Sequence, residues 1–153
     1  MTGIPADRER FVGMVLPTHI AAAEVGRLRF FARVIGESDP AYSDEAAARA
    51  AGHPSLPVPP TFLFCLDMAL PEPYAYLQEM GVDLGRVLHG EQSFRYHRLA
   101  YAGEPLAFHP RISDIYTRKG KALELIVRET AVRDGEDRPV AELRSVIVVR
   151  RGP

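Results

Sequence analysis

An α+β fold, with a curved antiparallel sheet wrapped around one buried helix, is what this sequence predicts, and three observations predict it. Helical periodicity and helix stop signals fill the first half of the chain. From about Val87 the hydrophobic period changes to two and persists through four segments. Between them stands TFLFCLDMAL, residues 61–70, which is apolar on nearly every side. A helix that is apolar all round must be covered all round, and a curved sheet is the available cover. Helices first and strands second is the α+β order.

The elements follow in chain order. Residues 1–10 read as a loose arm, and FVGMVL (11–16) as a short strand or an extended lead-in. From about residue 20, Val25, Leu28, Ala32 and Ile35 recur at spacings of three and four, with Glu24, Arg27 and Arg29 between them. That is an amphipathic helix, for which Thr18 offers an N-cap and Gly36 a left-handed stop. SDEAAARAAG makes a second, short helix with Ser43 as N-cap and Gly52 as stop. HPSLPVPP holds four prolines in eight residues, so it is rigid and extended and ends where Pro59 and Pro60 suit a helix start. Residues 71–80 form a further short helix ended by Gly81.

The strands come next. HGEQSFRYHRL sets Phe94 and Tyr96 against Arg95 and His97. LAFHPRIS sets Leu106, Phe108 and Ile112 against His109 and Arg111. KALELIV places Leu123, Leu125 and Val127 on one face, and VAELRSVIVVR sets Ala141, Leu143, Ile147 and Val149 against Glu142 and Arg144. Ala102-Gly103, Lys119-Gly120 and Asp134-Gly135 separate the runs, so the sequence predicts an antiparallel meander. Wrapped around the 61–70 helix, that sheet is the hot-dog architecture, in one domain spanning residues 1–153.

Composition narrows function by exclusion. Nineteen basic and 20 acidic side chains leave a net charge of −1, with nothing to draw nucleic acid or an anionic membrane at long range. The single cysteine, Cys65, forms no internal disulfide. It sits in FLFCL, where an inert buried thiol is expected. MTGIPADRERF lacks the apolar core of a secretory signal, and the purest apolar run, residues 62–66, is far too short for a bilayer; a cytoplasmic protein is expected. No metal is expected either. His89 and His97 stand about 26 Å apart along a strand, at roughly 3.3 Å per residue. His97 and His109, facing across the Ala102-Gly103 turn, would be two ligands without a third. No glycine-rich phosphate loop is present, and no cofactor is implied.

The chemistry gathers in VIGESDPAY, residues 34–42, where a helix end delivers Glu37, Asp39 and Tyr42 together. FARVIGESDPAYSDEAAARAAG resembles the signature of MaoC-like (R)-specific enoyl-thioester hydratases and 3-hydroxyacyl-thioester dehydratases: an aromatic residue, Gly-Asp-x-Asn-Pro-x-His, and a small residue six positions on. Gly36, Pro40 and Ala48 match it. With PPTF at 59–62, HGEQ at 89–92 and YAGE at 101–104, the chain is similar to the N-terminal, FAS1-like dehydratase branch of that superfamily over roughly residues 10–150. The resemblance implies paired hot-dog units and an acyl-CoA or acyl-carrier-protein thioester as ligand.

The departures are chemical. The family's catalytic Asp is Glu37 here, its Asn is Asp39, and its catalytic His is Tyr42. A general base works best with a pKa near the operating pH. Imidazole, at about 6.5, meets that; a phenol, near 10, does not. Glu37 is one methylene longer than Asp, and a misplacement of about 1 Å costs on the order of a hundredfold in rate. The loop therefore reads as a degenerate active site, as an altered surviving one, or as a plain capped turn, since Asp before Pro is a common turn pair.

Candidate substrate-binding residues complete the set. Thr61 and Phe62 are the backbone donors left at the start of the central helix, because Pro60 has none; the alternative is helix initiation alone. His89, Gly90, Glu91 and Gln92 characterise the branch and line the acyl groove or serve structure and interface, with Gly90 marking a bulge or a close backbone approach. The resemblance implies a subunit of an (R)-specific dehydratase or hydratase that lacks the catalytic Asp/His pair, working as a homodimer or as a heterodimer with a catalytic hot-dog chain. The alternatives are a self-sufficient homodimeric hydratase using Glu37, a non-catalytic thioester-binding or scaffold protein, and a hot-dog thioesterase.

Overall fold

The computed structural model describes residues 9–118, 120 and 122–151. The expected arm at 1–10 falls mostly outside these; its end enters a 3₁₀ turn, Glu9–Phe11. The chain then runs extended along the sheet margin, where Gly13 and Leu16 donate backbone hydrogen bonds to Ile112 and Pro110. Residues 11–16 are thus a lead-in with one isolated bridge, Val15 to Arg111.

Thr18 does not cap a helix. A three-residue strand, β1 (His19–Ala21), follows it and pairs with residues 106–108, and the Thr18 hydroxyl is hydrogen-bonded to His109 Nδ1 at 3.2 Å. Helix α1 (Val25–Ile35) begins four residues after that strand ends, with Glu24 at its N-cap, and buries Leu28 and Ala32. It ends in a Schellman motif: Gly36 (φ 74°) donates to Arg33 O and Glu37 to Ala32 O. Helix α2 (Glu45–Ala50) and helix α4 (Ala75–Glu79) close the same way at Gly52 and Gly81. The cap of α2 is Asp44 rather than Ser43: its carboxylate accepts from the amides of Ala46 and Ala47 at 2.7 and 2.9 Å.

The central helix, α3 (Phe62–Asp67), is shorter than the apolar run that announced it, but Phe62, Leu63, Leu66 and Asp67 are buried. Strands β2 (Val87–Tyr96), β3 (Leu106–Arg118), β4 (Leu123–Arg133) and β5 (Pro139–Arg150) join β1 in one antiparallel five-stranded sheet, ordered β1-β3-β4-β5-β2. Leu63 and Leu66 of α3 pack with Leu106, Phe108, Val132 and Leu143 on one half of its inner face. Leu77 of α4, with Met80 and Val82 that follow it, packs with Ile112, Ile126, Ile147 and Val149 on the other half. This is the hot-dog fold: a sheet curled around a buried helix, here with a second helix covering its far end.

The expected strand order is corrected. The strands are not a simple meander: β3, β4 and β5 are, but β2 lies beside β5, from Val87↔Val149 to Tyr96↔Ala141. Ala102-Gly103 is a turn, with Gly103 at φ 78°, yet it does not fold β2 back on β3. The segment docks instead on the proline-rich stretch, with Val58 N–H donating to Ala100 O and Ala102 N–H to Leu56 O. His97 and His109 therefore do not face each other; His97 Nε2 lies 3.3 Å from Glu142. The structure also decides which way β4 faces. Its inner face carries Ile126 and Val132 in the core and Arg128 paired with Asp67 of α3, so by alternation Leu123, Leu125 and Val127 share the other face, where Val127 is nonetheless buried. Lys119 of the β3–β4 turn signal lies outside the described residues.

A candidate acyl-thioester site

The signature loop hangs from the end of α1. Arg29 Nε donates to Ser43 O at 2.8 Å and ties the far side of the loop back to the helix. Inside it, Asp39 N–H donates to Glu37 Oε1 at 2.9 Å, and Ala41 N–H to Asp39 Oδ1 at 2.9 Å. Pro40–Tyr42 forms a 3₁₀ turn, and Ala41 and Ala48 anchor the loop in the protein at 5% and 0% exposure. Glu37 and Asp39 are exposed, and Tyr42 is half-buried. Burial raises the Tyr42 phenol, and the charges of Glu37 and then Asp39 raise it further. The three residues thus share one loop, but their chemistry is turned inward: each carboxylate accepts from a loop amide, and the phenol holds its proton.

At the start of α3, Phe62 is buried and its N–H donates to Pro59 O at 2.9 Å; Thr61 is exposed. Phe31 of α1 packs edge-on against the Phe62 ring, centroids 5.1 Å apart, and the Arg27 guanidinium lies over it at 5.5 Å. Tyr96 donates its hydroxyl to Pro60 O. The first turn of α3 is therefore clamped between α1 and β2, and one of its two expected free donors is already used.

The HGEQ residues are positioned by a bulge. The β2–β5 register shifts between His89 and Glu91. At Gly90 a Cβ would lie 2.7 Å from Val148 Cγ2 and 3.0 Å from Val146 O, so only glycine fits this approach. His89 and Gln92, three apart, would face opposite ways on a regular strand; the bulge resets the alternation and turns both inward. His89 stacks on Phe64 of α3 at 5.2 Å, and Gln92 Oε1 accepts from the Ser145 hydroxyl. Glu91 points outward, 3.5 Å from Arg144.

His89 and Phe64 open onto a cavity of about 40 Å³ between α3, α4 and the inner sheet, which Met68, Tyr76, Arg128 and Ser145 also line. Sequence reasoning missed its polar floor. Arg128, 3% exposed, makes a two-pronged ion pair with Asp67 of α3, 0% exposed, and Thr130 Oγ1 donates to the same carboxylate at 3.2 Å. The available signal was a charge interrupting each of two apolar runs, FLFCLD and LELIVR. Glu37, Asp39 and Tyr42 do not line this cavity. Cys65 is half-buried rather than enclosed. A wider groove of about 860 Å³ on the outer sheet face is lined by cross-strand charges, including the Arg111–Glu129 pair at 2.9 Å, and by none of the expected site residues. Among the described residues no helix is long and apolar enough to cross a membrane.

Comparison with known proteins places this geometry. A UPF0336 protein of Saccharopolyspora erythraea is 36% identical over 149 residues, covering 96% of this chain and 93% of its own. The HadBC (3R)-hydroxyacyl-ACP dehydratase complex of Mycobacterium tuberculosis superposes with a TM-score of 0.76 at 24% identity, over 90% of this chain and 96% of that one. The ChsH1–ChsH2 complex of the same organism superposes with a TM-score of 0.71 at 24% identity, over 91% and 86%. The family described as FAS1-like, dehydratase domain region, matches residues 10–143. With that match over most of its length, the chain belongs to the family of FAS1-like dehydratase domain regions.

Proposed function

We propose that this chain is the substrate-binding, non-catalytic subunit of a two-chain (R)-specific dehydratase or hydratase acting on acyl-CoA or acyl-carrier-protein thioesters. The observation that carries the reading is the state of the signature loop. Its frame is intact: the Schellman stop at Gly36, the turn at Pro40 and the buried anchors Ala41 and Ala48. Its chemistry is not that of a proton shuttle. A dehydratase must move a proton at the carbon next to the thioester carbonyl, which calls for a free base with a pKa near neutrality. Here Glu37 Oε1 is held by the loop's own amide, and the Tyr42 phenol is raised rather than lowered.

A partner chain would supply the base. Strand β2 lies at the rim of the sheet, with Leu88 52% exposed, and a ten-residue rim strand invites pairing with another chain. Two of the structures that share this fold are two-chain complexes, which supports that assembly. The test is crotonyl-CoA hydration by this chain alone, by a candidate partner with an intact Asp/His pair, and by the mixture. The expected result is negligible turnover alone and a gain on mixing. Efficient hydration by the lone chain, abolished in Glu37→Gln, would favour a self-sufficient enzyme instead.

A further inference from the structure

Two residues that line the inner cavity carry hydrogen-bond donors with no partner among the described residues. Arg128 spends both terminal nitrogens on Asp67, leaving its Nε–H buried without an acceptor, and the Tyr76 hydroxyl is likewise buried and unpartnered. Both residues are more than nine-tenths enclosed, and both line the same cavity, whose remaining walls include Phe64, Met68 and Ile147. An unsatisfied buried donor is costly, so two on residues lining one cavity describe a missing acceptor. Because Asp67 already neutralises Arg128, a second anion there would be an unpaired buried charge. The missing group is therefore a neutral oxygen.

We infer that this pocket selects acyl chains bearing a neutral oxygen acceptor, an oxo or hydroxyl group a few carbons from the thioester, over plain hydrocarbon chains. The inference rests on the thioester reading above. Phe64 and Met68, which line the pocket, stand two and six residues past the first residue of α3, so a chain whose thioester lay at that first turn would bring an oxygen a few carbons along it to the pocket.

The test is calorimetric titration of the chain with hexanoyl-CoA, 4-oxohexanoyl-CoA, 5-oxohexanoyl-CoA and adipoyl-CoA. At least one oxo analogue should bind about tenfold more tightly than hexanoyl-CoA, the worth of one good hydrogen bond, and adipoyl-CoA should show no such gain. Tyr76→Phe, which removes a buried hydroxyl without a partner, should hold or raise the unfolding midpoint while reducing the oxo preference to about twofold or less. Equal binding of hexanoyl and oxo chains, as when an ordered water satisfies both donors, overturns the inference and leaves the thioester reading standing. Tightest binding of adipoyl-CoA overturns the neutral-acceptor assignment. No binding of any of the four, nor of the hexanoyl and oxohexanoyl thioesters carried on an acyl-carrier protein, overturns both.

Discussion

Asp67 and Arg128 show what one pair of residues does in this molecule. They are 61 positions apart in sequence and meet beneath α3, both buried. Two charges in an apolar interior survive because each satisfies the other and Thr130 adds a third bond. Arg128→Met should therefore lose about 3–5 kcal/mol of stability in urea unfolding, because it strands a carboxylate, whereas Asp67→Leu with Arg128→Met together should recover most of that loss. If the single variant unfolded like the parent, the pair would not be a structural clasp. The contrast with the signature loop explains what the sequence revealed of the site. Glu37, Asp39 and Tyr42 lie within six positions and were legible as a cluster. Arg128, Asp67 and Tyr76 come from three elements that only folding unites, and their sole trace was a charge in each of two apolar runs. Ser43 and Asp44 are both acceptable caps by type; the choice between them depended on which side chain the preceding 3₁₀ turn aimed at the α2 amides.

At the scale of elements, the β4–β5 connection has its own pH response. Asp134 is enclosed, which disfavours its charge, but the backbone N–H and side chain of Arg138, the Arg98 guanidinium and the Glu136 N–H outweigh that and hold its carboxyl well below the usual carboxylate range. A depressed folded-state pKa stabilises above the unfolded value and is lost on acidification. The gap in thermal midpoint between the parent and Asp134→Asn should thus be full at pH 6, narrow below about pH 4, and close as the folded-state value is passed. A gap that stayed constant down to pH 2 would refute this. Helix stops at Gly36, Gly52 and Gly81 and four of the five strands were legible, because glycine stops and period-two alternation are local. Strand β1 was not: three residues are too few for alternation to register, and what makes them a strand is the neighbouring edge of β3. The facing of β4 was not legible either. Alternation divides a strand into two faces without naming the inner one, and here the ion pair with α3 outranks the leucines.

The whole molecule presents a rim strand, β2, whose outer backbone edge is not paired within the sheet. Light scattering of the purified chain should give twice the 17.0 kDa monomer mass, and a heterodimer should replace the homodimer when the catalytic partner is added. A clean monomer at micromolar concentration, unmoved by a partner, would count against paired hot-dog units. The position of β2 also has a consequence in time. The strand is formed from the middle of the chain, yet among the described residues it pairs within the sheet with β5 alone, which follows all the other strands in chain order. During synthesis α1, α2, α3, α4 and β2 can all leave the ribosome while the one surface that seats β2 is still unbuilt. Contacts this distant in sequence fold slowly, and until residues 139–150 emerge the nascent protein carries an unpaired strand beside an apolar helix that β3 and β4 cover only in part, a condition in which a growing chain is exposed to aggregation.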